Sequence, residues 1–136
     1  MVTVYDVTPN KLVNKAAEKL KAMGIPAPSF LGTVKSGPHR SRLPQQKDFW
    51  YIRLASILRN AYVHSTVGVG KLRSHYGGRK PRGVKPEEKR KAGGSILRKG
   101  LQALERAGLM TKKKKGREIS AAGKKLLDSA AKEAAS

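Results

Sequence analysis

Ser95–Ser120 reads SILRKGLQALERAGLMTKKKKGREIS, an amphipathic run that turns into a lysine-tipped hairpin. Ile96, Leu97, Leu101, Leu104 and Ala107 recur at helical spacing, while Arg98, Lys99, Gln102 and Arg106 take the opposite side. Ser95 has the side chain of an N-cap, and Gly108 followed by Leu109 supplies the usual glycine stop with apolar closure. Two short strands, Leu109 to Thr111 and Arg117 to Ile119, then flank Lys112, Lys113, Lys114, Lys115 and Gly116. After the hairpin, Ser120 caps a last helix carrying Leu126, Leu127, Ala130, Ala131 and Ala134.

Upstream of this block the pattern is again helical. Asp48 offers an N-cap for a helix whose stripe is Trp50, Leu54, Ile57, Leu58, Ala61 and Tyr62, the expected centre of the core. On its other face Arg53, Ser56 and Asn60 fall in a narrow arc with Arg59 beside them, so two arginines are expected to point outward. Val69, Leu72 and Tyr76 give a short helix ending at Gly77. Nearer the N-terminus, Thr8 and Pro9 open a helix through Leu12, Val13, Ala16, Ala17, Leu20 and Met23, which Gly24 stops. Two stretches remain: 25–47, with four of the seven prolines and the basic Lys35, Arg40 and Arg42, reads as an extended connection, and 77–94 as a mobile basic loop. Helix, helix, amphipathic helix and basic hairpin in that order is the winged variant of the helix-turn-helix. The expected fold is therefore mostly α, a winged-helix-like helical bundle with a small basic β-hairpin, in one domain over 1–136.

Charge sets the class of partner. Thirty Lys and Arg face nine Asp and Glu in 136 residues, a net charge of +21. A folded body this small repels itself unless a polyanion offsets the charge, and a phosphate backbone does so with release of condensed counterions. With no cysteine there is no disulfide scaffold and no thiolate zinc site, and His39, His64 and His75 are scattered without ligand spacing, so no metal or cofactor is expected. The carboxylates are dispersed and no nucleophile lies beside a base, which reads as no enzyme. Val67–Lys71 has the glycine and lysine of a phosphate-binding loop, but Ser65 and Leu72 stand where that motif needs a glycine and a hydroxyl. Apolar runs are only a few residues long and the N-terminus lacks a signal pattern, so the expectation is a soluble cytoplasmic chain, monomeric when free and without a membrane role.

The basic positions expected to meet nucleic acid are Arg53, Arg59, Lys71, Arg73, Arg79, Lys80, Arg82, Arg98, Lys99, Gln102, Arg106, Lys112, Lys113, Lys114, Lys115 and Arg117. Arginine forks suit bidentate phosphate contact, whereas the lysine run acts as point charges. The competing reading of Arg53 and Arg59 is structural pairing with Asp48 or Glu105. The aromatics Phe49, Trp50, Tyr51 and Tyr62 fit a core better than a stacking platform, with Tyr76 beside two glycines the exception. A winged-helix DNA-binding transcription regulator is the alternative function, but it usually needs a dimer, and no long heptad segment supplies one.

Three ordered blocks carry a family likeness: DFWYIRLASILR at 48–59, GVGKLRSHYGGR at 68–79 and SILRKGLQALERAGL from Ser95. Together with an opening helix after DVTP and the closing GREISAAGKKLLD, they resemble the e-type small-subunit ribosomal protein nineteen family of archaea and eukaryotes. The resemblance implies a winged-helix-like protein in the head of the small subunit that binds ribosomal RNA, touches neighbouring small-subunit proteins and supports late subunit maturation. Its basic and small positions match at Arg53, Ala55, Ser56 and Arg59, its glycine block at Gly68, Gly70, Tyr76, Gly77, Gly78 and Arg79, and its helix block at Ser95, Arg98, Gln102, Ala103, Leu104 and Glu105. Leu54 stands where a small residue is frequent, Gly100 interrupts the fourth helix, and the hairpin varies in length and charge.

Overall fold

The computed structural model describes residues 2–44 and 48–135. Among these residues five α-helices, α1 (Pro9–Ala22), α2 (Phe49–His64), α3 (Val69–Tyr76), α4 (Gly94–Arg106) and α5 (Ala121–Ala135), enclose an apolar core. Five strands complete it: β1 (Thr66–Val67), β2 (Gly78–Arg82), β3 (Lys85–Arg90), β4 (Met110–Lys113) and β5 (Gly116–Ile119). β1 pairs with β5 and β5 with β4, all antiparallel, so α2-β1-α3 followed, after the inserted β2–β3 hairpin, by α4-β4-β5 has the order of a winged helix, with β4 and β5 as the wing. α1 and α5 pack beside it, against each other and against α2.

The apolar periodicities account for the helices. Trp50, Leu54, Ile57 and Leu58 of α2 are buried together with Leu97, Leu101 and Leu104 of α4. α2 is the central helix, since Ala55 and Ala61 are also buried on its other sides. α1 buries Leu12, Ala16, Ala17 and Leu20 and stops where Gly24 takes φ +73°, with Met23 left 48% exposed. Gly100 lies where α4 packs closely on α2. A Cβ there would stand 3.2 Å from both Leu54 Cδ2 and Ile57 Cδ1, tighter than ordinary packing, so the glycine admits the large residue at 54. Gly123 does the same for α5, where a Cβ would meet the Leu109 carbonyl oxygen at 2.5 Å. Ser120 caps α5: its Oγ accepts from the Gly123 N–H at 3.3 Å and donates to the Gly108 carbonyl at 2.7 Å.

Four local expectations change. Asp48 precedes α2 but takes φ 61° and makes no capping bond; its carboxylate reaches back to Lys21 Nζ at 3.0 Å, tying α1 to α2. Ser95 lies inside α4, which begins at Gly94 with Gly93 in the cap position. β1 adds a strand between the second and third helices that is only two residues long. The basic segment 77–94 is no mobile loop over most of its length: β2 and β3 pair from Gly78↔Arg90 to Arg82↔Lys85, and Gly83 turns between them at φ +68°. No apolar alternation marks these strands, because all of β3 is exposed and none of β2 is buried. In 25–47 the chain makes one 3-10 turn, Ser29–Gly32, and no other helix or strand among its described residues; 45–47 lie outside them.

Candidate nucleic-acid interface

α4 sits where a winged helix presents its recognition helix. Burial of Ile96, Leu97, Gly100, Leu101 and Leu104 leaves Arg98, Lys99 and Arg106 exposed and Gln102 half-buried. None of the three cations has an acidic partner among the described residues. Lys99, Gln102 and Arg106 wall a groove of about 650 Å³ whose other side is the strap Met23–Phe30 and which Trp50 also lines. The strap is fixed by buried Ile25, whose carbonyl oxygen accepts a 2.8 Å hydrogen bond from Tyr51 Oη.

The wing carries its lysines outward. Lys112, Lys113, Lys114 and Lys115 are exposed, and the last three line a second cavity with Thr66, Lys71 and Glu118. The fold thus adds Lys71 of α3 to the wing tip. Arg117 is engaged within the chain: its Nε donates to Glu105 Oε2 at 3.1 Å, joining the wing to α4. Strand alternation explains this, because Arg117 pairs with buried Val67 and so shares its inward face.

Other cations are partly committed within the chain. Arg73 Nε donates to the Ala92 carbonyl at 2.8 Å, which holds α3 to the segment leading into α4. Arg82 pairs with Glu88 at 2.8 Å and donates from Nε to the Pro86 carbonyl at 2.9 Å, stiffening the second hairpin. On that hairpin Arg79 and Lys80 have no acidic partner among the described residues.

Arg53 is not aimed freely at solvent. It is half-buried, with its guanidinium carbon 4.0 Å from the centroid of the Tyr76 ring and 5.1 Å from that of Phe49. Tyr76 is itself held, since its Oη bonds Ser56 Oγ and accepts from Asn60 Nδ2 at 3.1 Å. The arc Arg53, Ser56 and Asn60 is therefore a seat for Tyr76. Burial weakens Arg53's hold on its proton, an effect that Tyr76 opposes and Arg40 reinforces. Arg59 is half-buried too, and its Nε has no partner among the described residues. Pairing of either arginine with Asp48 or Glu105 does not occur: Asp48 serves Lys21, and Glu105 serves Arg117.

Several of the few carboxylates are taken inside the protein. Glu133 bonds Lys19 at 2.8 Å, and Asp128 accepts from Tyr62 Oη at 3.1 Å. Positive charge is left on α4, the wing tip and the second hairpin with little protein counter-charge, a distribution that suits extended polyanions. Among the described residues no group of three His, Cys, Asp or Glu side chains is placed to hold a metal ion, and no helix is long and apolar enough to cross a membrane.

The chain is similar to known proteins over nearly its whole length. A family model described as ribosomal protein S19e matches residues 3–136. The small ribosomal subunit protein eS19 of Aeropyrum pernix is 45% identical over 98% of this chain and 90% of its own length. Its namesake in Haloarcula marismortui is 41% identical over 96% of this chain and 90% of its own length. That of Emericella nidulans is 40% identical, again over 96% of this chain and 90% of its own length. A match over nearly the whole chain, on a winged-helix body rich in uncompensated cations, leads to one conclusion: the chain belongs to the ribosomal protein S19e family.

Proposed function

We propose that this chain is a structural, non-catalytic component of the small ribosomal subunit that binds ribosomal RNA through the α4 face, the wing tip and the second hairpin. The observation that carries the reading is the pairing of full-length likeness to small-subunit proteins with cations on α4 and the wing that have no acidic partner among the described residues. Residence in the subunit head, contact with neighbouring small-subunit proteins and support of late maturation follow from the family resemblance and belong to the same proposal.

Direct reading of duplex DNA is the less favoured role. A regulator lays its recognition helix in a major groove, whereas here Lys99, Gln102 and Arg106 share a groove with the Met23–Phe30 strap along that side of α4. The test is to titrate the full chain against small-subunit RNA fragments and against duplex DNA of matched length over a salt series. The proposal expects RNA to be preferred at every salt concentration. Equal affinity, or a preference for DNA, overturns it.

A further inference from the structure

We propose that Arg40, Arg42 and Arg53 form a phosphate site that takes one backbone phosphate of the bound RNA into the cavity they line with Ser36, Ser41 and Phe49. The cavity measures about 360 Å³, and no carboxylate lines it among the described residues. The inference rests on the RNA-binding role for the source of the phosphate and adds two residues, Arg40 and Arg42, that sequence patterning leaves in a connecting segment.

Two independent anchors build the site. The first fixes the segment that bears Arg40 and Arg42. The Gly93 N–H donates to the Ser36 carbonyl at 2.9 Å, and the Arg40 N–H to the Gly37 carbonyl at 3.1 Å. Between these bonds the His39 ring is wedged between two glycines: a Cβ at Gly37 or at Gly78 would stand 2.8 Å from it. A segment without regular secondary structure is thereby docked on the second hairpin, and Arg40 follows the wedge directly.

The second anchor fixes Arg53. Its guanidinium lies against the Tyr76 and Phe49 rings, and Tyr76 is held by Ser56 and Asn60, so the fork is oriented before any ligand arrives. Three arginines line one cavity, Arg53 half-buried and Arg40 and Arg42 at exposed positions, and no carboxylate among the described lining residues offsets their charge. A tetrahedral oxyanion supplies that charge and accepts from several N–H forks at once, and Ser36 and Ser41, also among the lining residues, carry hydroxyls that can donate. The lowered proton affinity of Arg53, caused by burial and reinforced by Arg40, is consistent with cations crowded in a partly dry place.

The test compares the full chain with the double variant Arg40→Ser/Arg42→Ser and with a control of equal charge loss, Lys124→Ser/Lys125→Ser, on exposed positions of α5. In one arm the Arg53 Nε–H resonance is followed during titration with inorganic phosphate at fixed ionic strength. In the other, affinity for a small-subunit RNA fragment is measured. The site predicts a saturable Arg53 shift in the wild type and the control that is lost in the arginine variant, and an RNA affinity roughly tenfold or more below that of the control variant. An RNA-binding chain whose Arg53 ignores phosphate, and whose two double variants lose equal affinity, overturns the site and leaves the RNA-binding role standing. Saturable phosphate binding without RNA binding by the wild type overturns RNA as the source, and with it the function proposed above.

Discussion

Leu54 and Gly100 face each other across the contact between α2 and α4, with 3.2 Å between Leu54 Cδ2 and the place a Cβ at 100 would occupy. The two positions are complementary in size. Gly100→Ala gains about 1 kcal/mol of helix propensity but overfills the contact, which costs about 1–3 kcal/mol. Leu54→Ala alone loses about 2–5 kcal/mol. In the Leu54→Ala background, where only the Ile57 contact stays tight, Gly100→Ala is expected to cost less than in the wild type, giving a coupling of about 1 kcal/mol or more in a denaturation cycle. Strict additivity of the two changes would show that the positions do not share one space.

The two faces of α4 should separate binding from stability. Arg98 is exposed and Leu101 fully buried. Arg98→Ala is expected to change stability by no more than about 0.5 kcal/mol while costing an RNA contact of about 1–3 kcal/mol. Leu101→Ala should cost about 2–5 kcal/mol of stability and reduce binding only through unfolding. Thermal melts combined with RNA titration read both, and a destabilised but binding-competent Arg98→Ala would reverse the assignment of the helix.

Replacing the wing lysines Lys112–Lys115 with serine, the first two in β4 and the last two in its turn, should flatten the salt dependence of RNA binding. Each lost phosphate contact lowers the log–log slope by about 0.7–0.9. The loss should be larger at low salt, with helical circular dichroism unchanged. An unchanged slope would mean that these lysines are only solvated.

Acid should destabilise the fold through its histidines. His39 and His75 both hold a proton less tightly than a free imidazole, first because of burial. Arg40 and Arg53 add to the effect at His39, and His64, Arg53 and Arg59 at His75. Below the ordinary value of about 6.5 the unfolded chain therefore binds more protons than the folded one. Their contribution is fully present above about pH 6.5 and is lost as pH falls through the depressed folded values. Melting temperatures across this range should drop less steeply for His39→Gln or His75→Gln than for the wild type, and an identical slope would remove these rings from the acid response.

The wing and the helices were legible because apolar period and cap chemistry are local: Leu97, Leu101 and Leu104 mark α4, and Ser120 starts α5. What was not legible depends on distant partners. β2 and β3 carry charge rather than apolar alternation, so their pairing leaves no period to detect. Asp48 has the chemistry of a cap but spends its carboxylate on Lys21, a residue of another helix. Arg117 looks like one more cation until β1 pairs with β5 and turns it toward Glu105. Arg40 and Arg53 come together because His39 docks beside Gly78, a contact between segments far apart in the chain.

The central claim is that cations left uncompensated by the fold hold this chain on small-subunit RNA. Sedimentation of the tagged chain through a salt-washed gradient tests it most directly, with Lys99→Glu/Arg106→Glu run beside the wild type. The wild type should migrate with the small subunit, and the charge-reversed chain, equally folded by circular dichroism, should remain at the top of the gradient. A wild type absent from the small-subunit peak, or a variant that sediments with it undiminished, would contradict the account.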